Sequence, residues 1–175
     1  MTWPLTLPSG RQLRDFRADD LSAYQALRSE AKFGRFYAAE DCSPARSAEL
    51  LQMFMAQAQQ QPRQRFQLAI VSAADELMGS CGVRIEAPGQ GSIGCELGRH
   101  WQGSGAALEA ARAIVAFGFS ELGLQKIYAD TRAGNLAALR LCRQLGMRPE
   151  PTAAAGAEGV RLVLARGDWQ AAGEA

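Results

Sequence analysis

The sequence predicts a mixed α/β single domain over residues 1–175, with its core at about 10–169: a mostly antiparallel sheet with flanking helices. Three observations lead there. Short apolar runs of strand character recur between turn residues from 66 to 98. Two stretches with helical spacing of apolar residues precede them, opening at Asp19-Asp20 and at Ser43-Pro44. A strand, helix, strand succession then fills residues 92–132, and such a unit requires a crossover and a parallel pair. The predicted order is β-α-α-β-β-β-α-β-α-β-β.

Residues 12–16 alternate and give the first strand. Asp19 and Asp20 start a helix with Leu21, Tyr24 and Leu27 on one face. Ser43 before Pro44 is a stronger start signal, a capping hydroxyl followed by a proline whose missing N–H costs nothing there. That helix ends before Pro62. FQLAIV at 66–71 reads as a buried strand, Asp75-Glu76 as a turn, 77–85 as the next strand, PGQG at 88–91 as a second turn and SIGCELG at 92–98 as a third strand. The following helix carries Leu108, Ala111, Val115 and Leu122 toward the core and stops at Gly123. KIYADTR at 126–132 is a strand, and Asn135 opens a helix ending at Leu145-Gly146. Pro149 and Pro151 confine the next segment to a sheet edge, 160–166 form the last strand, and AAGEA at 171–175 is a frayed tail.

The chain has 175 residues, 47% of them hydrophobic, and a formal net charge of +1, so neither nucleic acid nor a membrane is an expected partner. Cys42, Cys81, Cys95 and Cys142 form no CxxC pair and His100 is the sole histidine, which argues against a metal site. The N-terminus lacks a signal-peptide pattern and no segment reaches the length of a membrane span, so the expected location is cytoplasmic, with reduced thiols. Assembly as a monomer or a homodimer is left open.

The stretch RHWQGSGAALEA, residues 99–110, places two glycines directly before a helix. Amides at a helix start are unpaired donors in a positive potential, and small residues let a phosphate approach them. The loop has no Lys-Ser/Thr pair and no G-x-G-x-x-G spacing, so it is neither an NTPase P-loop nor a dinucleotide fingerprint. A turn without a ligand remains the alternative.

Q-x-x-G-x-A at a strand end and helix start, here Gln102, Gly105 and Ala107, resembles the pattern of the GNAT N-acetyltransferase superfamily. The likeness runs from Ser92 to Met147, with Asn135 at a helix start and LGM at 145–147 where the family has a Leu-Gly-Phe-like helix end. It is strongest to the Rim-type branch, which acetylates ribosomal-protein N-termini and includes enzymes acting on small amines. The resemblance implies a parallel strand pair that splays, with the pantetheine arm of acetyl-CoA in the gap. It also implies pyrophosphate contacts from Gln102, Gly103, Ser104, Gly105, Ala106 and Ala107. Leu97 and Gly98 would bond the arm and polarise the acetyl carbonyl, and Asn135 would contact pantetheine or serve as an ordinary helix cap. Arg99 and His100 read as solvated and Trp101 as packing.

Strand alternation puts Ile93, Cys95 and Leu97 on one face and Gly94, Glu96 and Gly98 on the other. An alkyl ammonium, with a pKa near ~10, must shed a proton before it attacks a thioester. Glu96 is the candidate general base for that step; pairing with an arginine, or holding the substrate's charge, are its other readings. Ala138 and Cys142 stand where the family often has a hydroxyl residue and a tyrosine. This departure leaves the acid for the departing thiolate open: Cys142 could donate a proton, with a thiol pKa of roughly 8.5, or sit in the core beside Leu141 and Leu145 while water protonates the thiolate. Tyr128 and Asp130 share a strand face. Residues 28–41 would wall the acceptor site, together with the connection at 153–159. The implied activity is acetyl-CoA-dependent transfer of an acetyl group directly to a primary amine, on a protein or peptide N-terminus or on a small molecule. The alternatives are a non-catalytic acyl-CoA-binding sensor or interaction module and an unrelated phosphate-binding α/β domain.

Overall fold

A computed structural model describes residues 3–30, 38, 40–150 and 159–173. The described chain forms one eight-stranded sheet in the order β1-β2-β3-β4-β5-β6-β8-β7. The strands are β1 (Leu5–Thr6), β2 (Gln12–Asp15), β3 (Arg65–Val71), β4 (Leu77–Ala87), β5 (Gln90–Leu97), β6 (Lys126–Arg132), β7 (Arg148–Glu150) and β8 (Gly159–Ala165). The α-helices are α1 (Leu21–Arg28), α2 (Pro44–Ala58), α3 (Ala106–Ser120), α4 (Leu136–Gln144) and α5 (Arg166–Gly173). All neighbouring strands are antiparallel except β5 and β6.

That one parallel pair shapes the molecule. β5 and β6 are in register only at Gln90↔Lys126, Gly91↔Ile127 and Ser92↔Tyr128. Beyond Ser92, β5 continues to Leu97 against β4 alone, and β6 continues to Arg132 against β8 alone. The expected splay is thus present, and it opens toward the end of β5 that feeds the glycine loop.

Both sheet faces are covered. Along β3, Leu68 and Ile70 point into a core shared with α3 and α4, while Ala69 and Val71 join a second core with Tyr24 of α1 and Leu51 of α2. The unbroken apolar run of β3 follows from burial on two sides. In the second core, Phe16 lies 5.4 Å from both Tyr24 and Phe54, centroid to centroid. In α3, Ala111 and Val115 are buried as expected and Leu108 packs more shallowly against the same core, as does Leu122 just past the helix end.

Local signals explain most boundaries. Ser43 Oγ accepts the Arg46 N–H at 3.1 Å, the cap its sequence position predicts. Gly123 adopts φ +67 just beyond α3, the left-handed stop expected there. Pro149 lies in β7 at the sheet edge. The expected helix start at Asp19-Asp20 is a 3-10 turn, Ala18–Asp20, that runs directly into α1.

Three expectations need revision. A short strand, β1, precedes the predicted first strand and pairs with it. The second turn is shorter than 88–91, since Gln90 and Gly91 already pair in β5. The expected frayed tail at 171–175 is entered by α5, whose Trp169 ring lies 6.3 Å from Phe119.

One buried ion pair fixes α1. Arg14 on β2 is 4% exposed and donates to both carboxylate oxygens of Asp20 at 2.8 Å. It also donates to Asp75 in the β3–β4 turn at 2.8 Å, and Asp20 caps the Arg17 N–H at 2.7 Å. The hydrogen bonds Arg14 donates to Asp20 and Asp75 outweigh its desolvation and keep it charged. Replacing Arg14 by Met would leave Asp20 buried without its partner. Urea denaturation should show a loss of about 3–5 kcal/mol in unfolding free energy.

Candidate functional site

The last turn of α1, the middle of β4 and the splayed end of β5 converge on Glu96. Alternation along β5 turns Leu97 into the α3 core and Glu96 to the opposite face. There Glu96 accepts from Ser80 Oγ at 3.0 Å and from Arg28 Nη1 at 3.3 Å. The Arg28 side chain is 7% exposed and that of Glu96 16%, so the pair is mostly shielded, yet a cavity reaches it. The Tyr24 phenol hydrogen-bonds into the same group. Burial, then the Glu96 charge, pushes the Tyr24 hydroxyl well above its ordinary range, so it keeps its proton and serves as a donor. Burial opposes the Arg28 charge, and the interactions with Tyr24 and Glu96 more than offset this. Arg28 also donates to the Asp41 carbonyl at 2.7 Å, which ties α1 to the segment before α2.

The cavity in front of Glu96 has a volume of ≈ 460 Å³, enough for a small molecule or the end of a peptide. Leu50, Met53 and Phe54 of α2 give it one apolar wall. Of the expected acceptor wall at 28–41, Arg28 and Asp41 line the cavity; 31–37 and 39 lie outside the described residues, as do 153–158 of the second expected wall.

Beyond Leu97 the chain makes a 3-10 turn, Arg99–Trp101, and enters the glycine loop. Arg99 and His100 are exposed, and Trp101 packs against the core. Gln102, Gly103, Ser104 and Gly105 are all exposed, whereas Ala106 is fully buried at the start of α3. Gly103 and Gly105 hold φ +78 and +79, and nothing lies within 4 Å of where a side chain would stand on either. Gly105 is the N-cap of α3 and supplies no capping side chain. The Ala106 N–H has only a long contact to Ser104 Oγ at 3.4 Å, and the first turn bond comes from Glu109 to the Gly105 carbonyl. Among the described residues, the N–H groups of Gly103, Gly105, Ala107 and Leu108 meet no acceptor. A left-handed loop thus presents bare amides at a helix N-terminus, a fitting cradle for a phosphate.

Some sequence-predicted groups are already engaged. The Gly98 N–H donates to the Met78 carbonyl at 2.8 Å, and the Gly98 carbonyl accepts from Trp101 at 3.0 Å. Asn135 caps α4, accepting the Ala138 N–H at 3.2 Å, while its side-chain amide meets no acceptor among the described residues. Asp130 is gripped by Arg161 through two bonds of 2.7 Å, and that guanidinium lies 4.0 Å from the Tyr128 ring centroid. Cys142 is buried in the core.

The arginine pairing expected as one reading of Glu96 is present, with Arg28 as the partner. Tyr24 and Ser80 around Glu96 were not singled out from the sequence, nor were three tethers of the loop. Arg11 donates to the Ser104 carbonyl at 3.1 Å and pairs with Glu109 at 3.2 Å. Glu30, just past the end of α1, accepts the Arg99 N–H at 2.9 Å.

A family model for the acetyltransferase (GNAT) domain matches residues 11–148. The chain belongs to that family. It is 30% identical over 135 residues to an uncharacterized N-acetyltransferase, p20, of Bacillus licheniformis, covering 76% of this chain and 74% of that one. The GNAT fold also matches the ribosomal L7/L12 α-N-protein acetyltransferase RimL, solved with coenzyme A, at TM-score 0.78 and 14% identity over 92% of this chain and 96% of that one. The microcin C7 self-immunity acetyltransferase MccE, solved with acetyl-CoA and AMP, matches at TM-score 0.73 and 15% identity over 91% and 98%. These two likenesses are of fold, and two proteins with different described roles share it almost equally.

The thiols give a pH test of this packing. Burial pushes the Cys142 thiol from an ordinary 9.0 up to about 11. A hydrogen bond to Cys95, then burial, raises Cys81 as well. Below pH 9 these thiols are neutral in both states and stability is unaffected. Above it, the unfolded chain sheds their protons and the native one does not, so unfolding free energy should fall as pH rises from about 9 to about 11. Denaturation curves for Cys142→Ala should show a shallower decline than the parent over that interval.

Proposed function

We propose that the protein is an acetyl-CoA-dependent N-acetyltransferase that passes an acetyl group directly to a primary amine, on a protein or peptide N-terminus or on a small molecule. The observation that carries this is the run of unpaired amides at the start of α3, immediately after the strand that parts from its parallel neighbour. In this reading Gln102, Gly103, Ser104, Gly105, Ala106 and Ala107 surround the pyrophosphate of coenzyme A, and the α3 dipole adds positive potential. Complexes of MccE with acetyl-CoA and of RimL with coenzyme A support that co-substrate. The pantetheine arm takes the gap between β5 and β6, the edge where the ladder has ended. Leu97 borders that gap; Gly98 contributes by sharing a bond it already gives to Met78. The Asn135 side-chain amide is a further donor for the arm. A cytoplasmic location, where thiols stay reduced, belongs to the same reading.

Glu96 receives the amine. Ser80 and Arg28 hold its carboxylate in place, and it takes the ammonium proton directly or through one water. Acetyl transfer then needs a proton for the leaving thiolate. A thiol pKa of roughly 8.5 lets water supply it without a side-chain acid.

The ion pair between Arg28 and Glu96 favours a second reading, an acyl-CoA-binding sensor or interaction module without turnover. Glu96→Gln separates the two. In an enzyme it should lower kcat by about 10²–10⁴-fold while leaving acetyl-CoA affinity near the parent value; a sensor has no rate to lose. Isothermal titration tests the co-substrate itself: acetyl-CoA should bind and ATP should not. A general phosphate-binding domain would take both. Gly105→Ala should weaken acetyl-CoA binding by about tenfold, because an alanine strains at φ +79.

A further inference from the structure

The cavity in front of Glu96 is lined by more cationic than anionic residues. Four guanidinium groups line it, those of Arg28, Arg46, Arg65 and Arg84, against the carboxylates of Asp41 and Glu96. Arg28 is matched to Glu96, and Arg46 binds Glu49 along α2. Arg65 and Arg84 are different. They are direct register partners on β3 and β4, so two like charges stand opposite each other on one sheet face. Such a pair is unfavourable unless an anion is shared between them. Among the described residues neither guanidinium has a carboxylate partner.

On the neighbouring strand, Ser92 stands level with Arg84, and the next residue on that face toward Glu96 is Gly94, which has no side chain. Gly94 is two residues from Glu96 on the same face, and Arg84 Nη2 comes within 3.8 Å of where a Gly94 side chain would begin. The bare backbone lets the guanidinium lie over β5, on the way to Glu96. Two residues of strand put this point about 7 Å from Glu96. Facing it, Met53 is 43% exposed although it is a large apolar residue, and with Leu50 and Phe54 it forms the apolar side of the same cavity. The floor therefore offers a carboxylate, an interval with an apolar wall, and then a paired cationic end.

We propose that the acceptor is a bifunctional amine whose own carboxylate or phosphate sits on Arg65 and Arg84 while its nitrogen faces Glu96. This rests on the transferase reading and narrows its substrate class. An α-amino acid carries its charges one carbon apart and is too short to use both ends. The fitting ligands place several bonds between amine and anion: an ω-amino acid, an aminoalkyl phosphate, or a peptide N-terminus followed by an acidic side chain.

The test compares acceptors of matched length with acetyl-CoA, following thiol release: 6-aminohexanoate and 5-aminopentyl phosphate, neutral pentylamine, dicationic 1,5-diaminopentane, and peptides differing only in an acidic or basic second residue. The anionic amines should be preferred by about tenfold or more in kcat/KM over the neutral and dicationic ones, the gain lying in KM. The ratio between the small anions and the acidic peptide identifies which of them the cavity takes. In Arg65→Gln/Arg84→Gln the preference should collapse toward unity, and Arg65→Lys/Arg84→Lys should restore part of it. Equal use of neutral or dicationic amines, or an equal loss on every acceptor in the Gln variant, would overturn the inference. Calorimetric titration of 6-aminohexanoate into the protein with coenzyme A separates the two levels. Binding that the Gln variant abolishes, without turnover of any amine, would overturn the transferase reading and keep the anion site. Neither binding nor preference would overturn the anion site, and acetyl-CoA binding in the same preparation would leave the co-substrate assignment standing.

Discussion

The molecule is organised by a parallel ladder that stops after Ser92 and Tyr128. Two strands that pair and then part must leave backbone groups facing each other across a gap, and buried groups of that kind need partners. Every other feature of the candidate site is arranged around this break. The antiparallel run from β1 to β5 holds one lip rigid, and β8 and β7 hold the other. β5 delivers the chain to the glycine loop at the unpaired end of the break, and α3 begins just behind that loop. On the far face, the same strand carries Glu96 into a cavity closed by α1 and α2.

Holding α1 correctly against that strand is a separate demand, met by charge rather than by apolar packing alone. Arg14, Asp20 and Asp75 link β2, the turn into α1 and the β3–β4 turn. α1 in turn bears Tyr24 and Arg28 toward Glu96, and the chain just after it presents Glu30 to Arg99. One short helix thus meets both the acceptor cavity and the approach to the loop. A polar scaffold has directional bonds, which suits an element whose register must be fixed to place three side chains at once.

How much of this was legible in the sequence depended on the range of the interaction. Features set by neighbours along the chain could be read: the Ser43 cap, the alternation that turns Glu96 away from Leu97, the helix stop at Gly123, and the edge position of Pro149. β1 was missed because two residues carry no period, and α5 because its anchor, Trp169 against Phe119, lies fifty positions away. The identities of the groups around Glu96 were missed for the same reason. Arg28 reaches it across 68 positions and Arg11 reaches Glu109 across 98, and no local pattern announces either. The opposition of Arg65 and Arg84 depends on strand register, which a sequence fixes only once the turn between the strands is known. The resemblance to GNAT enzymes supplied the splay and the cradle, which no periodicity announces.

The two rims of the sheet carry a final consequence. An open sheet invites another chain to continue it, because its outermost strands show unpaired peptide groups in a row. Here one rim is the two-residue β1, entered directly from Pro4, and the other is β7, with Pro149 at its middle. A proline has no N–H to give, so neither rim offers an unbroken row to a newcomer. Among the described residues both margins of the sheet are short and interrupted, so little continuous edge is left for another chain to extend.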